Sequence, residues 1–108
     1  MNDVGEKIRL QRLTKKYSQE YMAFMLEISQ AAYSKIERSE TELTLRRVYE
    51  IAEILEISPF TLMPPPKHGT AIVLAWRKTM VKLRRFWRNN FKDRLNERKA
   101  AYRSSQGH

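Results

Sequence analysis

A short segment near the middle of the chain carries side chains that suit the reading of DNA bases. Ser29 is a candidate helix N-cap, and Gln30, Ala31, Ala32 and Lys35 follow it within two turns. A Gln amide pairs with adenine N6 and N7, a Lys ammonium reaches guanine O6 and N7, and an Ala methyl touches the thymine methyl. A helix with this face could distinguish base pairs in the major groove, although a Gln or Lys on a helix is more often plain solvated surface.

Enzymatic chemistry has little support in the sequence. The 108 residues include no cysteine and only two histidines, His68 and His108. Neither histidine has a plausible nucleophile or metal-ligand partner, and the three glycines form no phosphate-binding loop. We therefore expect a protein that is not an enzyme and that uses no cofactor or metal.

Positive charge is concentrated in the C-terminal part of the chain. Residues 1–66 contain 9 Lys and Arg against 10 Asp and Glu, whereas residues 67–108 contain 12 against 2, which together give the net charge of +9. Such a polycation is expected to bind a polyanion such as DNA, RNA, acidic lipid or an acidic protein.

The sequence shows neither the run of about 20 apolar residues that a membrane span needs nor a signal peptide. A cytoplasmic, nucleoid-associated protein is expected.

Apolar residues at helical spacing predict five short helices in the first part of the chain. The first covers roughly residues 3–15. Each of the other four should begin after a Ser or Thr that can cap it, at Ser18, Ser29, Thr44 and Ser58. No alternating strand pattern occurs, so the predicted fold class is all-α.

Prolines separate these helices from the basic part of the chain. Three consecutive prolines at 64–66 lack N–H donors and favour an extended backbone, which predicts a stiff linker at residues 64–69. Residues 1–63 should form one small domain. Residues 70–108 contain no proline, and no glycine before Gly107, and should form a long basic amphipathic helix with a frayed end.

The order and sequences of the short helices resemble a known family. Two helices separated by a turn around Leu26-Glu27-Ile28 form a helix-turn-helix arrangement. The string SQEYMAFMLEISQAAYSKIER, preceded by GEKIRLQR and followed by LTLRRVYEIAEILEISPFTLM, resembles the XRE family of Cro and phage-repressor type over residues 4–63. The resemblance covers about half of the chain. It implies a five-helix phage-repressor-like domain whose third helix enters the major groove of double-stranded DNA.

The resemblance also implies roles for individual residues. Base reading falls to the exposed face of the third helix, at Gln30, Ala31, Ala32, Ser34 and Lys35. Phosphate contacts fall to Gln19, Ser29, Arg38, Arg46 and Arg47. Arg12 and Glu37 match the ion pair that ties the first helix to the third in the family.

Two regions depart from the family pattern. Glu27 stands where the turn usually has Gly, and a left-handed conformation there costs about 1 kcal/mol. The loop after the third helix usually has Gly at Ser39 and is often basic, whereas Glu40 and Glu42 lie where phosphates should pass. These carboxylates should weaken backbone binding by the domain alone.

Apolar residues in the long helix form a seam at heptad spacing, with a four-residue step before its last members. The seam consists of Val73, Trp76, Met80, Leu83, Trp87, Phe91 and Leu95. Such a face packs on a second copy, on its own domain or on a partner protein. An interfacial membrane helix fits less well, because the apolar stripe is narrow and the charge extends far around the helix.

These observations predict a sequence-specific transcriptional regulator, a repressor, that binds a palindromic operator as a homodimer. Helix-turn-helix dimers read half-sites one helical turn apart, so pairing through the seam would set the operator spacing. The alternative is an antitoxin-type interaction module whose C-terminal helix binds a partner protein.

Overall fold

A computed structural model shows an all-α protein, as predicted. The structure describes residues 4–63 and 70–106; within the last helix it describes the side chains of 74, 75, 77–79, 81, 82, 85, 86, 89 and 91–106. The described residues form α1 (Val4–Thr14), α2 (Gln19–Leu26), α3 (Gln30–Glu37), α4 (Leu45–Leu55), α5 (Pro59–Leu62) and α6 (Thr70–Gln106). None of these helices is both long and apolar enough to cross a membrane.

The four predicted cap residues begin α2, α3, α4 and α5. Ser18, Ser29, Thr44 and Ser58 each have an extended backbone, and each hydroxyl accepts a backbone N–H from the first turn at 2.9 to 3.2 Å. A cap of this type is worth about 1 kcal/mol relative to Ala. The helix starts are therefore fixed by local sequence.

The first four helices all end in the same hydrogen-bonded turn. A residue just past each helix has a φ near +60°, and the N–H of the next residue bonds back to a carbonyl five residues earlier at 2.9 to 3.1 Å. This is the Schellman motif, which usually has Gly at the left-handed position. Here the left-handed residues are Lys16, Glu27, Ser39 and Glu56. The turn at Glu27 thus has the left-handed conformation that the resemblance implied, without a glycine.

One hydrophobic core joins the short helices to the end of α6. Its fully buried members include Ile8 of α1, Met22 and Met25 of α2, and Ile51 and Leu55 of α4. Phe91 and Leu95 of α6 belong to the same cluster, and α6 packs against α2 and α4. The edge of the Tyr102 ring meets the Tyr21 ring at 4.9 Å between centroids.

The seam predicted in the long helix is thus divided. Its last two members, Phe91 and Leu95, are covered by the domain of their own chain. The side chains of the other members lie outside the described residues, as does the whole of the predicted linker 64–69: these members are Val73, Trp76, Met80, Leu83 and Trp87. The helix itself continues through Ser104 and Ser105 to Gln106, beyond the point where fraying was expected.

A buried glycine lets α1 cross the end of α3 at close range. A Cβ atom placed on Gly5 would lie 2.5 Å from the carbonyl oxygen of Ile36 and 2.6 Å from that of Glu37. Real Cβ atoms do not approach backbone oxygens this closely. The absence of a side chain at Gly5 therefore brings Arg12, two turns further along α1, to the end of α3.

Candidate nucleic-acid interface

The third helix presents most of the predicted base-reading residues on one face. Gln30, Ala31 and Lys35 are exposed, while Tyr33 and Ile36 on the opposite face are buried. The remaining two predicted residues, Ser34 and Ala32, are half-buried. Ala32 faces the groove between α3 and residues 41–44.

A buried carboxylate fixes the far end of α3. The Glu37 side chain is 2% exposed and accepts two hydrogen bonds from Arg12, at 2.6 Å from Nε and 3.2 Å from Nη2. Gln19 Nε2 donates to the same carboxylate at 3.0 Å, and the Tyr33 hydroxyl donates to it as well. Arg12 Nη1 also donates to the Tyr17 carbonyl at 2.8 Å. The network joins α1, the start of α2 and the end of α3.

The protonation states in this network follow from its hydrogen bonds. Burial alone would raise the pKa of Glu37, but the donors from Arg12, Tyr33 and Gln19 bring that pKa below its usual value. Hydrogen bonding to Glu37 raises the pKa of Arg12, and burial together with the same carboxylate raises the pKa of Tyr33. The network therefore contains one carboxylate, one guanidinium and a neutral phenol at neutral pH.

Gln19, a predicted phosphate ligand, is turned toward the protein. Its amide nitrogen is the donor to Glu37, so the side chain helps to anchor α3. The amide nitrogen has a second N–H, and the first turn of α2 also has backbone N–H groups that lack partners within the helix, so both remain available for a phosphate.

Two further predicted residues, Ser34 and Arg38, bind each other at the end of α3. Arg38 donates to the Ser34 hydroxyl and also to the Glu40 carboxylate, and all three groups are accessible to solvent. The hydrogen bond between Arg38 and Glu40 raises the pKa of Arg38 and lowers that of Glu40. The acidic loop expected near the phosphates thus competes with phosphate for Arg38.

The start of α4 brings two predicted phosphate ligands beside the helix-turn-helix turn. Arg46 is exposed, whereas Arg47 is half-buried and donates to Glu50 at 3.1 Å and to the Leu26 carbonyl at 3.4 Å. Ser29, which caps α3, is exposed on the other side of the same turn.

Sequence reasoning missed the residue of α6 that contacts this turn. Arg98 donates to the Met25 carbonyl and to the Glu27 carboxylate, and its guanidinium lies 5.6 Å from the centre of the Phe91 ring. The next residue, Lys99, pairs with Glu56 at 3.5 Å. Helical spacing could have found Arg98, because it follows Phe91 at i+7 on one stripe.

The described side chains form no metal centre. Within 4–63 and 70–106, no three His, Cys, Asp or Glu side chains come together as possible ligands of an ion. The exposed side chains of α3 offer an amide, a methyl and an ammonium, and arginines lie beside its two ends, which suits the recognition of bases and phosphates even though Glu40 lies at the same surface.

Comparison with known proteins identifies the family. Residues 8–62 match the model of the helix-turn-helix family HTH_3, which is half of the chain, so the chain belongs to this family and is of XRE type. It is similar to the HTH-type transcriptional regulator DicA of Escherichia coli (strain K12), with 34% identity over 56 residues. That match spans 52% of this chain and 42% of DicA. No solved structure matches the chain significantly.

Proposed function

We propose that this protein is a sequence-specific DNA-binding transcriptional regulator that reads the major groove with α3. The observation that carries the proposal is the joint exposure of Gln30, Ala31 and Lys35 on a helix whose other face is fixed by the Glu37 network. A rigid helix with an amide, a methyl and an ammonium on one face is suited to direct readout.

In the proposed complex each exposed side chain has a distinct target. Gln30 pairs with an adenine, Lys35 with a guanine, and the Ala31 methyl with a thymine methyl. Phosphate contacts from Ser29 and Arg46 set the register of the helix in the groove without carrying sequence information.

We further propose a repressor that acts as a homodimer on a palindromic operator. Two-fold pairing of helix-turn-helix domains sets the spacing of two half-sites. Because Phe91 and Leu95 pack on their own domain, pairing through the predicted seam would use its other members, between Val73 and Trp87, and so would a partner protein that binds this seam in the alternative function. Sedimentation of the full chain, alone and with operator DNA, tests the stoichiometry.

The base-reading assignment is tested by selection from a library of genomic DNA fragments, followed by Gln30→Ala and Lys35→Ala. Each substitution should weaken the free energy of DNA binding by about 1–3 kcal/mol, and only for sites with particular base pairs at the contacted positions. Gln11→Ala and Lys7→Ala, which remove the same groups from α1, serve as controls and should leave the sequence preference unchanged. If the variant with both α3 substitutions keeps the wild-type preference, the site assignment is wrong. If all fragments bind equally well, the protein is a non-specific DNA-binding protein.

A further inference from the structure

Residues 91–106 of α6 pack on the domain, and the positive charges on the two flanks of this segment are compensated to different extents. Phe91 and Leu95 hold the helix against α2 and α4. Lys92 and Arg94 lie beside these anchors and are about 200° apart around the helix axis. They therefore border different grooves on the surface of the domain.

The flank that contains Lys92 is electrically balanced. Lys92 and Lys99 border a groove with Glu53 and Glu56, near the end of α4. Lys99 Nζ lies 3.5 Å from a carboxylate oxygen of Glu56. Two cations face two carboxylates here, so the chain compensates this flank itself.

On the flank that contains Arg94, the described bordering residues carry more positive than negative charge. Arg94 and Arg98 border a groove of about 360 Å³ with Arg46 and Arg47, near the start of α4. The carboxylates in this groove are Glu27, paired with Arg98, and Glu50, paired with Arg47. Among the described residues that border it, four arginines and two glutamates sum to a formal charge of +2, and we call this groove the arginine groove.

The position of the arginine groove suggests its partner. It is bordered by Leu26 and Glu27, in the turn that leads into α3, and by Thr44, the cap of α4. A duplex that receives α3 in its major groove would bring a sugar-phosphate backbone past this turn. Guanidinium groups are opposite in charge to phosphate oxygens and can donate two parallel hydrogen bonds to them.

We propose that the arginine groove binds the DNA backbone beside the half-site, with Arg94 of α6 as a phosphate-binding residue. This inference rests on the proposed function. The anchors at Phe91 and Leu95 hold the backbone on both sides of Arg94, so the guanidinium is presented by a fixed helix. One arginine on a fixed helix contacts one site on the DNA, whereas a free polycation would spread its contacts.

The test compares Arg94→Ala with Lys92→Ala in the full chain. Both variants remove one positive charge from the same turn of α6, so they reduce general attraction to DNA equally. Loss of one phosphate contact should lower the slope of log K against log salt by about 0.9 in Arg94→Ala and leave it unchanged in Lys92→Ala. Between 50 and 200 mM salt, wild-type affinity should then fall about 3.5-fold more than that of Arg94→Ala. Sequence preference should be the same in all three proteins.

A second measurement locates the contact directly. Because the chain has no cysteine, Arg94→Cys and Lys92→Cys each provide a single site for an iron chelate that cleaves nearby DNA. The chelate at position 94 should cut at a discrete place beside the half-site, and the chelate at position 92 should cut weakly.

The outcomes separate this inference from the proposed function. Equal salt slopes for Arg94→Ala and Lys92→Ala, or equal cleavage from both positions, overturn the arginine groove as a phosphate site. A wild-type protein without sequence preference that still shows the difference in slope overturns the proposed regulator and leaves the groove intact. A chain that binds no DNA overturns both.

Discussion

At the scale of single residues, Glu37 anchors α3 to α1 and α2. The pairing of Arg12 with Glu37 follows from the resemblance to the XRE family, and the structure shows it. The contributions of Tyr33 and Gln19 were not foreseen, because neither residue is marked by its local sequence as a partner of a carboxylate. They converge on Glu37 only after α2 and α3 have packed.

Acid should weaken the fold through Glu37. Because the pKa of this carboxyl is lowered in the folded state, its stabilisation is present above the unfolded pKa of about 4.5 and is lost as the pH falls through the folded value. Glu37→Gln should remove this part of the acid dependence and cost about 3–5 kcal/mol at neutral pH, since it leaves Arg12 buried without a counter-ion. Urea unfolding between pH 3 and pH 7 measures both effects.

The matched control for Glu37 replaces both charges. Arg12→Met with Glu37→Met should be more stable than Glu37→Gln, because no buried charge is left unpaired. This double variant also keeps the test informative if Glu37→Gln does not fold, since it too should lack the acid-dependent term. Wild-type acid dependence in either variant would assign that dependence to other carboxyls.

Glu40 should act as an internal competitor of DNA. Glu40→Gln releases Arg38 from its carboxylate partner, so DNA affinity should rise and its salt dependence should steepen by up to one phosphate contact, about 0.9 in slope. Glu42→Gln removes the same charge from the same loop and controls for general electrostatics. Fluorescence anisotropy across a salt series would show the difference. A gain no larger than that of Glu42→Gln would mean that Arg38 does not reach the backbone.

At the scale of elements, the boundaries of the short helices could be predicted well because they depend on local sequence. Ser and Thr caps predicted the starts, but none of the four left-handed ends has a glycine to mark it, and a left-handed conformation was predicted only at Glu27. One local signal was available. The string Leu-Glu-Ile-Ser occurs at residues 26–29 and again at 55–58, and each copy forms a left-handed turn followed by an N-cap.

The apolar stripe of α6 shows where sequence reasoning stops. Heptad spacing identified Phe91 and Leu95 as packing residues, but the same spacing suits a second copy, a partner or the chain's own core. The choice depends on the surface that α2 and α4 leave open, which no local pattern encodes.

Docking of α6 should contribute measurably to stability. Phe91 is 1% exposed in the core, whereas Phe86 on the same helix is 59% exposed. Phe91→Ala should lower the free energy of unfolding by about 3–5 kcal/mol, as expected for a fully buried ring. Phe86→Ala should change it by less than about 0.5 kcal/mol. Urea unfolding of the two variants measures the difference, and a loss from Phe91→Ala as small as that expected for Phe86→Ala would show that α6 is not part of the core in solution.

At the scale of the whole molecule, composition and packing divide the chain differently. Charge separates a nearly neutral segment at 1–66 from a polycation at 67–108. Packing instead joins the end of the polycation to the helix-turn-helix domain through the core. A chain cut after Met63 would lose two core residues together with the charge, so point substitutions on α6 are the cleaner way to separate DNA binding from stability.

The close crossing at Gly5 also restricts which sequences this fold can explore. Any residue other than glycine at this position places an atom against two backbone carbonyls, which no change of rotamer can relieve. In a saturation mutagenesis experiment, position 5 would behave like a core position although it contributes no side chain. A second change that shifts α1 would be needed first, and that shift would move Arg12 away from Glu37. A substitution at Gly5 should therefore also disturb the position of α3.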